Sequence, residues 1–202
     1  PVQLKGTQWG ADLVLTTKVM VIGAADCAVQ LLANVGGIPI TSWVFPENQD
    51  SGFSQYSIAK KILPFYMNYI GPYPYKKLAN VQSKTVFGGM ENASNIFYYQ
   101  NSVKTGPVSH EDYIKLEGLF AHEEAHQWFG DEASETDWQH VWLSEGFANY
   151  MTHLYFEHSY GEDTLKKRMQ ADREQIIAFY KKRITPVVDT TSQKHPLTLL
   201  NI

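Results

Sequence analysis

His122-Glu123-Glu124-Ala125-His126 sets two imidazoles four residues apart, with a carboxylate directly after the first. On a helix, residues four apart lie one turn above each other on one face. Both rings can therefore reach a single cation, and neutral imidazole suits zinc. Glu123 flanks that face and can reach a water held by the ion without being a ligand itself. A five-residue pattern of this kind also arises by chance, but two further features support it. Leu116, Leu119, His122, His126 and Phe129 share one stripe, and two histidines on an otherwise apolar stripe are costly without a partner. Glu145 follows His126 after 18 residues. On a second stripe with Trp138, Val141, Trp142 and Ala148, its carboxylate is expected to point to the core, where an unpaired charge is strongly disfavoured. One cation between the stripes removes both costs. Two His and one Glu leave a fourth tetrahedral position for water, the pattern of a catalytic rather than a structural site.

Helices must position these groups. Ser109 with Asp112 resembles a capping box and predicts a helix to about Phe129, ended by Gly130. Asp137 is a good N-cap for a second helix to about Tyr160, closed by Gly161, and a third follows from Glu162 to Arg183. Pro186 and Pro196 mark an irregular tail. The first half is strand-rich, with strands expected at Val14–Ile22, Ile38–Phe45, Leu78–Gln82 and Asn95–Tyr99. A helical pattern from about Asp50 to Tyr69 contains Pro64, where a kink or break is expected. Gly71-Pro72-Tyr73-Pro74 is a firm stop. The fold class is α+β, with a strand-rich lobe over residues 1–108 and a helical lobe over residues 109–202.

HEEAHQWFGD followed at this separation by WLSEGFANY closely resembles the gluzincin metallopeptidases, and within them the aminopeptidase N family. That family also carries Gly-Ala-Met-Glu-Asn upstream of the zinc helix; here Gly88-Gly89-Met90-Glu91-Asn92 stands in its place, with Gly89 replacing Ala. The order, spacing and flanking aromatics agree from about Ile38 to Tyr160. The resemblance implies a thermolysin-like zincin catalytic domain with one zinc ion on His122, His126 and Glu145. It implies Glu123 as general base, and Glu91 as the acid that holds the substrate's free α-amino group, which makes the enzyme an exopeptidase. Gly88, Gly89 and Met90 would line the substrate cleft. The expected substrates are peptides with a free N-terminus. The family's oxyanion-stabilising tyrosine lies well beyond the third zinc ligand. Tyr180, only 35 residues past Glu145, is too close, so that tyrosine is expected beyond Ile202. The family's N-terminal β domain is also expected to be missing, which makes this chain a catalytic-domain fragment.

Other classes are weighed against this. A thermolysin-like endopeptidase would not use Glu91 to anchor an amine, and a scaffold would not need all of His122, Glu123, His126 and Glu145. A net charge of −4 without any basic block argues against nucleic acid. The single Cys27 excludes an intramolecular disulfide and suits either a reducing cytosol or a disulfide-free exported protein. The longest apolar stretch, Val19 to Val29, is broken by Asp26 and too short to span a bilayer. Cys27 is expected to be buried. Glu124 is expected to face solvent or support a neighbour. Asp131 reads as a helix end, and Trp128, Trp138 and Trp142 as packing around the site. His140, His153 and His158 read as surface or satisfied structural groups, and the basic residues from Lys166 to Arg183 as a solvated face.

Overall fold

A computed structural model describes residues 2–5, 8–10, 14–182, 184 and 186–188. Pro196 and the chain's last residues lie outside them. Strands β1 (Val2–Lys5) and β2 (Gln8–Gly10) form a small antiparallel pair. The main sheet holds β3 (Ala28–Val35), β4 (Ile38–Val44), β5 (Leu78–Ser83), β6 (Gly89–Met90) and β7 (Asn95–Tyr99), in the order β3-β4-β5-β7-β6. Helices α1 (Gln49–Tyr56) and α2 (Ala59–Tyr69) carry the chain from β4 to β5, which are parallel. The helical half is α3 (His110–Ala125), α4 (Val141–Tyr160) and α5 (Glu162–Lys182). The architecture is α+β, as expected.

Several expectations need correction. Val14–Ile22 is not a strand: it holds only a 3-10 turn at Thr17–Val19. Among the described residues no strand pairs with it, and Val14 and Ile22 stand in solvent while Val19 alone is buried. The strand β3 was not foreseen. Its register shifts between Leu31 and Ala33, and that bulge destroys the in-out alternation that reveals a strand. The available signal was Gly36-Gly37, whose φ values of 58° and 89° make the two-residue hairpin loop to β4. The helical pattern before Gly71 breaks at Ser57–Ile58, and α2 runs through Pro64. Gly71, at φ 144°, ends the run.

α3 starts where its cap predicts, with Ser109 Oγ accepting from the Asp112 N–H at 3.0 Å. It ends at Ala125 rather than Phe129, because the next turn tightens: the Gln127 and Trp128 N–H groups bond to the carbonyls three residues back. Gly130, at φ 128°, then reverses the chain. Asp137 caps a short 3-10 turn, Trp138–His140, that leads into α4. One hydrophobic core joins both halves. Tyr98 of β7 stacks on Phe120 of α3 with ring centres 4.0 Å apart. Tyr56 meets both rings edge-on, and Tyr155 and Phe156 of α4 complete the cluster. α5 buries none of its side chains fully. Its basic face is not wholly solvated, however: Arg168 lies over the Phe156 ring at 4.1 Å and donates to His153 Nδ1 at 2.9 Å. Among the described residues no helix is long and apolar enough to cross a membrane.

Candidate metal centre

α3 and α4 lie side by side and bring His122, His126 and Glu145 together. The two Nε2 atoms are 3.0 Å apart. Glu145 Oε2 lies 3.3 Å from His122 Nε2 and 3.6 Å from His126 Nε2. Three donors around a tetrahedral zinc with bonds of 2.0–2.1 Å would sit about 3.3–3.4 Å apart, so the donor set fits such an ion. Ring orientation agrees. His126 Nδ1 is 2.9 Å from the Phe129 carbonyl, which can only accept, so Nδ1 carries a proton and, when the ring is neutral, Nε2 presents its lone pair to the triad. The early end of α3 is what places that carbonyl within reach. Glu145 is half-exposed rather than turned into the core. Burial opposes its charge, but the hydrogen bonds and charges of His122 and His126 hold its carboxyl well below the usual range. His126 feels the converse. Burial works against its charge, yet Glu145, Glu91 and Glu123 together push it up to about 10.

Glu123 lies beside the triad beneath β6. A Cβ built on Gly89 would collide with the Glu123 carboxyl and stand 2.6 Å from its Cγ. Gly89 therefore lets the sheet's edge strand pass directly over this side chain. Burial raises the Glu123 carboxyl to about 8, partly opposed by His126 and reinforced by Glu91 and Glu145. A cation on the triad would act in the lowering direction. Gly88 bonds through its carbonyl to the Tyr99 N–H at 2.9 Å, and Met90 pairs with Phe97. This fixes the path of Gly88–Met90 along β7. Glu91 follows at the end of β6 and is half-buried.

Several side readings change. Glu124 does not face solvent: it is fully buried and neither oxygen has a hydrogen-bond partner. Burial raises its carboxyl well above the ordinary range. Asp131 follows the helix end but is buried too, accepting from Gln127. Trp128 is buried, but Trp138, in the 3-10 turn, and Trp142, on α4, are 45% and 42% exposed, so they are only partly packed. Cys27 is half-buried. His153 is a satisfied structural group, 2.6 Å from Asp172 Oδ2, and His158 packs against Phe65. Among the described residues no other group of three metal-ligating side chains converges.

Comparison with known proteins is decisive about ancestry. A family model described as the peptidase family M1 domain matches residues 54–201. The chain belongs to peptidase family M1. Aminopeptidase N of Homo sapiens is 31% identical over 169 residues, covering 80% of this chain and 16% of that protein. Aminopeptidase N of Acetobacter pasteurianus is 28% identical over 142 residues, which is 68% of this chain and 40% of the bacterial protein. Endoplasmic reticulum aminopeptidase 2 of Bos taurus is 33% identical over 130 residues, 62% of this chain and 14% of its own length. The chain thus spans well under half the length of these relatives. M1 membership and the three converging donors agree on a metal centre. Sequence reasoning missed the Phe129 carbonyl, the burial of Glu124 and the hydrogen bonds of the buried Gln127 amide. None of them belongs to a repeating pattern that spacing could reveal.

Proposed function

We propose that this chain is the catalytic domain of a zinc aminopeptidase, with residues 1–108 and 109–202 as two lobes of one domain. The observation that carries the reading is the convergence of His122 Nε2, His126 Nε2 and Glu145 Oε2 at zinc-like spacing. The single core shared by the sheet and α3–α4 supports one domain. Zinc bound there would activate water for attack and polarise the scissile carbonyl. The chain's own residues do the rest. The Glu123 carboxylate accepts the proton of the attacking water and delivers it to the nitrogen of the leaving amine. Its burial under Gly89 keeps bulk water from competing for that proton. β6 ends the sheet order, so its outer edge can pair with an extended peptide backbone, and the Gly88–Gly89 stretch lets that backbone approach closely. Glu91, at the end of that strand, receives the free ammonium group of the substrate and so sets cleavage one residue from the N-terminus. His126 is held in its ligating tautomer by the Phe129 carbonyl.

Substrates are peptides with a free N-terminus, and the names of the matched relatives support that class. The test compares an aminoacyl amide with its N-acetylated form on the full-length protein, before and after chelation and zinc return. Hydrolysis of the free amine alone, lost on chelation and restored by zinc, is expected. Equal cleavage of the blocked peptide would point to an endopeptidase. Stoichiometric zinc without hydrolysis of either would point to a scaffold.

A further inference from the structure

Gln127 follows the ligand His126 directly and is completely buried. Its amide makes four hydrogen bonds. Oε1 accepts from the Ser94 N–H at 2.8 Å and the Tyr73 hydroxyl at 3.1 Å. Nε2 donates to the Glu91 carbonyl at 2.8 Å and to Asp131 Oδ2 at 2.9 Å. That uses every donor and lone pair an amide has. Two of the bonds grip the opposite ends of the segment that runs from Glu91 to Ser94. This segment is under strain: among the described residues Ser94 is the sole non-glycine at positive φ, 62°. A left-handed serine costs free energy and persists where its surroundings impose it. Gln127 Oε1 accepts the Ser94 N–H in that conformation and helps to hold it. The span between His126 and Glu91 is thereby fixed through one side chain.

We propose that Gln127 is the positioning residue that sets Glu91 at its working distance from the metal ligands, and hence sets the preference for a free amino terminus. This rests on the reading of Glu91 as the amine anchor. Gln127 touches neither substrate nor metal in this role; it acts through the Glu91 carbonyl and the Ser94 amide. An isosteric Gln127→Met releases both. Gln127→Glu keeps the acceptor for Ser94 and Tyr73 but removes the donor to Glu91, so it loosens the anchor while leaving the far end of the segment tied.

The experiment uses the full-length zinc-loaded protein and two probes, leucine hydroxamate and its des-amino analogue. The ratio of their inhibition constants reports the amine anchor, because both share the metal-binding group. Gln127→Met is expected to shrink that ratio about tenfold, the loss of one good hydrogen bond to an ion. The inhibition constant of the des-amino analogue and the zinc content are expected to stay unchanged. On an aminoacyl amide, KM is expected to rise with kcat little altered. Gln127→Glu is expected to follow in the same direction, and is the variant read if Gln127→Met does not fold. Glu91→Gln, measured in parallel, separates the two failures. If Glu91→Gln collapses the ratio and a folded Gln127 variant leaves it intact, or weakens both probes equally, Gln127 is only structural and the proposal is overturned. If Glu91→Gln itself leaves the ratio intact, the anchor reading falls and takes this proposal with it.

Discussion

Glu123 and Glu124 are neighbours in sequence, about 100° apart around α3, and their surroundings differ. Glu123 lies on the cleft side, beside the His122–His126–Glu145 triad and under the bare backbone of Gly89. Glu124 lies on the core side, fully buried with both oxygens unpartnered. Its charge reaches Tyr66, Tyr73 and Tyr98, whose hydroxyls are pushed up by burial first and by Glu124 second. Burial raises both carboxyls. Beside the triad, charged groups stand near enough to tune that shift, and in the proposed reaction this carboxylate is the proton acceptor. On the core side the same desolvation has no partner and no reactant, so it is a plain cost. The same rise in a buried carboxyl thus occurs both beside the converging His122, His126 and Glu145 and in the core.

The contrast can be broken at several points. The largest effect is expected from Glu123→Gln, which should lower kcat by about 10²–10⁴-fold while zinc stays bound. Full turnover in that variant would remove the cleft-side carboxylate from the reaction. Glu145→Ala should weaken zinc by more than about 10²-fold, beyond what loss of an outer partner costs. Metal analysis that finds it fully loaded would take Glu145 out of the ligand set. Gly89→Val should push the Glu123 side chain aside and lower kcat by up to about 10²-fold, the scale of a misplacement near 1 Å. An unchanged kcat would mean that the packing of β6 on Glu123 is incidental. Glu124→Leu has the smallest effect and the opposite sign. It should raise unfolding free energy by ~1–3 kcal/mol and leave kcat alone, as read by denaturant melts beside an activity assay. Loss of activity there would erase the distinction between the two sides.

The convergence of His122, His126 and Glu145 was more legible than the frame around it. The His122–His126 spacing and the distance to Glu145 are helical arithmetic, and helices obey it wherever they pack. The glycines at 88 and 89 mark close backbone approach, and Gly89 meets Glu123 at short range. Strand β3 was hidden because a bulge near Leu32 erases its alternation. The stretch from Val14 misled because β-branched residues describe a strand only when a neighbour pairs with it. Of the stripe expected around Glu145, Val141 and Ala148 are buried while Trp138 and Trp142 are exposed, and Trp138 precedes α4 in the 3-10 turn. The stripe is split in part because its first residue is not on the helix that carries the rest. Glu124 and Gln127 were beyond reach for another reason: one buried polar group is defined by contacts from distant strands, and no local spacing encodes those.

The central claim is that His122, His126 and Glu145 hold one zinc ion beside Glu123. Anomalous diffraction at the zinc edge, from crystals of the full-length protein grown with zinc, tests it most directly. The expected result is a single peak about 2.0–2.2 Å from His122 Nε2, His126 Nε2 and a Glu145 oxygen, with the Glu123 carboxylate outside bonding distance. A peak on other residues, or Glu123 bound to the ion as a fourth ligand, would contradict the account.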